Sequence, residues 1–283
     1  MTKAIDFHVH LPTQSFLGRA IQPYVAATER YFRTTVPIRE IEEVAETYEA
    51  LDVVGVLLAW DAETATGLPP VTNDEVAAFV RRYPNRFVGF ASVDPWKGKR
   101  AIEEIERAVT DLGLSGAKFH PSMQAFYPHD ARFYPLYEKI ARLGVPALFH
   151  TGTSGLGAGT PGGMKIKLDY SRPLYLDHVA ADFPEMTIIA AHTGWPWHEE
   201  LLAIIGQKSN VYMDLSGWLP RYIPSVIWEH ARSRLQDKVL FGSDYPFITP
   251  DRWMSDFEKI ERLSDEVKRK ILYTNAARIL KRE

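Results

Sequence analysis

The chain contains no cysteine. Disulfides, thiolate metal ligands and a thiol nucleophile are therefore excluded, and any metal chemistry falls to histidine, aspartate, glutamate or a modified lysine. A reducing cytoplasm is the expected compartment. Charge of one sign is also scarce: 33 Lys and Arg stand against 36 Asp and Glu, a formal net charge of -3. The signs are interleaved, so no basic stripe is present to follow a phosphate backbone, and nucleic acid is not an expected partner. Apolar runs are too short to span a bilayer, and the first residues enter a strand pattern without a charged and then apolar leader. The expectation is a soluble, unexported protein with no membrane partner. No repeat, low-complexity tract or Pro/Gly/Ser linker divides the 283 residues, and 46% hydrophobic content fills a sizeable core; residues 1–283 are expected to form a single domain.

What is present is a strand signal repeated eight times. Short β-branched or aromatic runs occur as AIDFHVHL at the start, VVGVLLAW from Val53, FVGFASVD from Phe87 and GAKFHP from Gly116. They continue as PALFHTG from Pro146, TIIAAHTG from Thr187, NVYMDLSG from Asn210 and VLFGSDYP from Val239. Helical periodicity lies between them, as in Ile38, Ile41, Val44, Tyr48 and Leu51. Apolar strands alternating with helices imply parallel pairing covered on both faces, and eight units predict a closed (β/α)₈ TIM barrel, with an open doubly wound sheet as the alternative. Two connections exceed the usual loop length, Leu11 to Val36 and the glycine-rich Thr151 to Ser171. Both are expected over the mouth of the barrel as lid elements.

Polar residues end several of these runs. His8 and His10 are two apart on strand 1 and so share a face. Lys118 and His120 fall on strand 4, and His150, His192 and Asp244 close strands 5, 6 and 8. The C-terminal strand ends are where barrels carry their chemistry. Desolvating several imidazoles and a carboxylate together is costly, and a bound metal resolves that cost.

The runs IDFHVH, FHTG from Phe149, AHTG from Ala191 and FGSDYP from Phe241, together with the closing NAARIL, resemble the amidohydrolase superfamily. The similarity is to the amidohydrolase-2 branch, which includes aminocarboxymuconate-semialdehyde decarboxylase and related aromatic-acid decarboxylases. The resemblance implies one divalent metal, zinc first and manganese as the alternative, held by His8, His10, His150 and Asp244. It also implies that His192 is a catalytic histidine beside the metal, with Lys118 and His120 facing substrate and Asp244 sharing in proton transfer. Other branches carry a carboxylated lysine between two metals near the position of Lys118, which leaves a two-metal site as the alternative.

The function implied is a metal-dependent, non-oxidative decarboxylase of a small unsaturated or aromatic carboxylic acid. The alternatives are a hydrolase of a lactone, amide or β-ketoacyl thioester in the same scaffold, and a non-catalytic metal- or ligand-binding barrel. Arg19, Arg30, Arg33 and Arg221 are candidate clamps for the carboxylate. Trp195, Trp197, Tyr245 and Phe247 are candidate walls for a flat substrate. His129 and Asp130 are expected at the rim or as a helix cap. Gly157 to Gly162 matches G-x-G-x-x-G, but Pro161 interrupts it and no strand–turn–helix follows, so a dinucleotide site is rejected. With Lys165 and Lys167 this stretch remains a candidate phosphate cradle for a thioester substrate. Assembly into a homo-oligomer is left open.

Overall fold

The computed structural model describes residues 2–282. Among them, eight strands pair in sequence order: β1 (Ala4–Val9), β2 (Val53–Leu58), β3 (Phe87–Ser92), β4 (Ala117–Phe119), β5 (Ala147–His150), β6 (Ile188–Ala191), β7 (Val211–Asp214) and β8 (Val239–Leu240). Successive pairs are parallel. The ring closes where Phe7 N donates to Phe241 O at 2.9 Å and His10 N donates to Tyr245 O at 2.8 Å. This is the TIM barrel predicted above, and the open sheet is set aside. No helix among the described residues is long and apolar enough to cross a membrane.

Alternation along the strands explains why their sequences are apolar throughout. Val54, Val56 and Leu58 of β2, Val88 and Phe90 of β3, Leu148 of β5 and Ile189 of β6 pack into one cluster with Ile5 and Phe7. Their neighbours Val53, Leu57, Phe87, Ala91, Phe149 and Ala190 pack into a second, shared with the surrounding helices. Each strand buries both faces, and each large apolar side chain withdrawn from water contributes about 1.5 to 3 kcal/mol. By the same alternation Lys118, between Ala117 and Phe119, and Asp214, two past Tyr212, fall at interior positions.

Strand β1 departs from the rule. Its register with β2 shifts between Asp6 and Val9, an irregularity of the kind that re-aims side chains near active sites. Asp6 points to the helix Ile41–Ala50, where Tyr48 donates to its Oδ2 at 2.9 Å. His8, which strict alternation would place with Asp6, turns into the barrel instead and lines the cavity at its mouth with His10.

Both long connections supply walls of that cavity: Phe16, Thr28, Tyr31 and Phe32 from the first, and Thr153 to Leu156 from the second. They meet where the helix Val25–Phe32 packs on Gly155. A Cβ at Gly155 would lie 2.8 Å from Phe32 and 3.1 Å from Tyr31, so the absence of a side chain there is what lets the two segments close on each other.

Candidate active site

The site is a set of neutral imidazoles around one buried carboxylate. Asp214 is fully buried at the end of β7. Its Oδ1 accepts from the backbone N of Ser216 at 2.9 Å, from that of His192 at 3.2 Å and from the Ser216 hydroxyl. Its Oδ2 lies 3.3 Å from His8 Nδ1. Burial opposes the charge, but His8, His192 and the donated hydrogen bonds outweigh it and hold the carboxyl below the usual carboxylate range. Burial, reinforced by the Lys118 ammonium, lowers His8 to about 3. Burial lowers His192 to about 4. His10, His120 and His150 are depressed well below 6.5 by the same cause.

The acceptors around these neutral rings fix their tautomers. An ionised Asp214 requires a proton on His8 Nδ1, which leaves the His8 Nε2 lone pair to accept from Lys118 Nζ at 3.2 Å. His192 Nδ1 lies 3.0 Å from the Ser216 carbonyl and must donate to it. His192 Nε2 then accepts from His150 Nδ1 at 2.9 Å. His150 Nε2 is left bare, and it is buried without a partner, as is His10 Nδ1. Unpartnered buried nitrogens of this kind carry a desolvation cost that a cation relieves.

Ligand atoms of His8, His10 and Asp244 lie within 4.8 Å of one another, and a second trio of His8, His192 and Asp214 meets the same limit. His8 Nε2 is 3.6 Å from Asp244 Oδ1. His150 belongs to neither trio and approaches through its neighbour His192. With unpartnered nitrogens on His10 and His150 and the His8 Nε2 lone pair beside Asp244, the donor set fits a divalent cation.

The backbone is strained where two of these side chains turn inward. His192 and Asp244 adopt left-handed φ of 70° and 68°, a region that non-glycine residues rarely occupy. His192 follows the inward Ala191 and would face outward in a continued strand; the left-handed turn returns it to the barrel. Gly217, with φ of 75°, completes the crowding, since a Cβ there would stand 2.8 Å from His192 Nδ1 and 3.3 Å from Asp244 Oδ2.

Lys118 lies beneath the cavity, 1% exposed, with Nζ 3.2 Å from His8 Nε2. Burial lowers its pKa while Asp214 and Asp244 oppose that shift. Burial raises Asp244, against the pull of Lys118. His120 lines the cavity, stacked on His150 at 3.8 Å between ring centroids. Below this layer Ser243 donates to Asp6 from its backbone N at 2.8 Å and its hydroxyl at 2.5 Å, tying β1 to the Asp244 turn.

Several expectations require correction. None of the candidate arginines lines the cavity. Arg19 donates to Ser15 Oγ at 2.6 Å, Arg30 and Arg33 border a separate outer cleft, and Arg221 pairs with Asp256 at 2.7 Å. They lie on the outer side of the elements that wall the mouth, and among the described lining residues there is no arginine or lysine. Arg30→Ala and Arg221→Ala are therefore expected to change the affinity for simple carboxylate inhibitors by less than about twofold, the scale of surface substitutions, as read by calorimetry. Of the four candidate aromatics, only Phe247 lines this cavity; Tyr245 is buried against Tyr48, and Trp197 lines nothing here. The walls are instead Phe16, Trp60 and Trp218, with His10 stacked on Phe16 at 4.8 Å. Asp130 caps the turn Ala131–Phe133 by accepting from Arg132 N at 3.0 Å. Asp214 and Ser216 escaped sequence reasoning, although MDLSG has the same form as the other strand ends, an apolar run closing on a polar residue.

Residues 5–282 match the sequence profile of the amidohydrolase family. A 2-amino-3-carboxymuconate-6-semialdehyde decarboxylase from Dictyostelium discoideum is 23% identical over 279 residues, covering 87% of this chain and 76% of its own. Among solved structures, an uncharacterized TIM-barrel protein from Bordetella bronchiseptica is 26% identical, superimposes with a TM-score of 0.83 and covers 98% of each chain. A dihydroxybenzoic acid decarboxylase from Polaromonas sp. JS666, solved with bound manganese and the inhibitor 2-nitroresorcinol, is 20% identical with a TM-score of 0.70, covering 99% of this chain and 97% of its own.

Proposed function

This chain belongs to the amidohydrolase family, and on that premise we propose that it is a metal-dependent, non-oxidative decarboxylase of a small aromatic or unsaturated carboxylic acid. The observation that carries this reading is the trio His8, His10 and Asp244, which opens into a cavity walled by Phe16, Trp60, Trp218 and Phe247. The named decarboxylases among its relatives support the reaction class. These relatives do not favour the hydrolytic alternative.

His8, His10, His150 and Asp244 would hold one divalent ion, with zinc favoured over manganese because imidazole predominates among the donors. When bound, the ion would supply a Lewis acid able to polarise an oxygen of the substrate. The protein supplies the rest. Phe16, Trp60 and Phe247 hold a flat ring and keep water out. The bond between the ring carbon and the carboxylate breaks, its electron pair stays on carbon, and that carbon takes one proton. His192 or Asp244 manages this proton, and His120 faces the same space.

Asp214 orients His8 and so acts on the ion through it. Asp214→Asn is expected to weaken metal binding about 10- to 100-fold, the usual cost of losing an outer partner of a histidine ligand. Competition with a chromophoric chelator measures it, and an unchanged affinity would show that His8 needs no carboxylate behind it.

The reading is tested by incubating metal-loaded protein with mono- and dihydroxybenzoates and unsaturated diacids in deuterium oxide. The expected result is release of carbon dioxide with one deuterium at the vacated carbon, abolished by chelation. Absence of carbon dioxide across the panel, with metal fully bound, would remove the proposal.

A further inference from the structure

The reaction cavity continues beyond its aromatic rim. Tyr31, Thr153, Ser154 and Leu156 line both this cavity and a second, wider one, with empty volumes of about 540 and 890 Å³. The outer cavity is walled by Ile166, Leu168, Trp195 and the backbone between Gly157 and Gly163. Trp218 on the inner side and Trp195 on the outer side have ring centroids 6.1 Å apart, so an aromatic surface runs across the junction.

This outer wall is a closed loop rather than a loose one. Thr160 Oγ1 donates to Gly157 O at 2.6 Å, Gly163 N to Thr160 O at 3.0 Å and Ile166 N to Gly163 O at 3.1 Å. Gly157, with φ of 71°, lets the turn fold back, since a Cβ there would stand 2.5 Å from Gly163 O. Thr153 N donates to Trp195 O at 2.8 Å and fixes the loop to the segment after β6.

The outer cavity is uncharged, with Leu156, Ile166, Leu168 and Trp195 beside the hydroxyls of Thr153, Ser154 and Thr160. Tyr31, Leu168 and Trp195 are 43%, 39% and 41% exposed. Scattered singly such residues would need no explanation, but three around one cavity joined to a reaction site form a patch that fits a ligand. No charged side chain lines it among the described residues, and Lys165 and Lys167 are not part of its wall. The charged anchor that the thioester reading placed at Lys165 and Lys167 is therefore not in this wall.

We propose that the outer cavity is a subsite for an uncharged, apolar extension of the substrate, an alkyl chain or second ring attached to the reacting ring. The extension leaves the inner cavity past Tyr31 and Leu156 and lies against Leu168 and Trp195. The proposal rests on the decarboxylase reading for the placement of the reacting ring, but its test also separates the two.

The test uses metal-loaded protein and two homologous series, 2,6-dihydroxybenzoate and resorcinol, each unsubstituted and with para or meta n-alkyl chains from methyl to heptyl. Calorimetric affinity is expected to rise about two- to fourfold per methylene over part of the series, the scale of burying apolar carbon. In Trp195→Ala and in Leu168→Ser that rise should flatten, while the unsubstituted acid binds within about twofold of the unaltered protein. Affinity that does not rise with chain length in either series, or a rise unchanged in both variants, overturns the subsite. If the acids fail to bind but the alkylresorcinols still show a Trp195-dependent rise, the subsite stands and the decarboxylase reading fails.

Discussion

His10→Ala is expected to lose the metal and the activity together. His10 is 5% exposed, its Nδ1 has no hydrogen-bond partner, and its ring is held flat against Phe16. Nothing in the fold uses this ring nitrogen, so its purpose lies in the cavity. Removing one of the four proposed ligands should cost more than the roughly 10- to 100-fold in affinity that follows loss of an outer partner, and elemental analysis after gel filtration should find well under one ion per chain. The fold should survive, because the substitution trims the mouth of the barrel and leaves both apolar clusters intact, and circular dichroism checks this. Retention of a full equivalent of metal by His10→Ala would remove His10 from the ligand set.

His192→Ala is expected to separate chemistry from binding. In the described tautomers His192 Nδ1 donates to Ser216 and Nε2 accepts from His150, so His192 stands one step behind the bare nitrogens. Turnover should fall about 10²-fold or more, the scale of a lost acid or base, with most of the metal retained. Stripping of the metal to the extent seen in His10→Ala would make His192 a ligand instead, in line with the second trio that joins it to His8 and Asp214. Relief of the left-handed φ at position 192 is not expected from alanine, which is less suited to that region than histidine.

Much of the fold was legible because a parallel barrel buries both faces of every strand. The eight apolar runs then mark eight strands with few false candidates, down to the two-residue β8 in VLFGSDYP. Polar groups at the ends of such runs are conspicuous, which is why His8, His10, His150, His192 and Asp244 were readable as a group. Asp214 was hidden because one aspartate after an apolar run is also the commonest way to end a strand with a turn, and only the contact with His8, 206 residues away in sequence, gives it meaning. The direction of His8 was hidden by the register shift in β1, which the alternation of AIDFHVH does not announce.

The arginines show the opposite limit. Four of them sit in or near segments that do form the mouth, yet none lines it: the helix Val25–Phe32 presents Thr28, Tyr31 and Phe32 inward and Arg30 outward with the following Arg33, while Arg19 and Arg221 are held by Ser15 and Asp256. Proximity in sequence to a cavity-forming segment does not decide which face of a helix a residue occupies. The walls that were missed, Phe16, Trp60 and Trp218, lie in irregular or strand-end positions where no period assigns a face.

Diffraction from crystals of the zinc-loaded protein, recorded on both sides of the zinc absorption edge, tests the central claim most directly. The account predicts one anomalous peak per chain, bounded by His8, His10, His150 and Asp244, with an unmodified Lys118 beside it. Two peaks bridged by a carboxylated Lys118, or no peak among these residues, would contradict it.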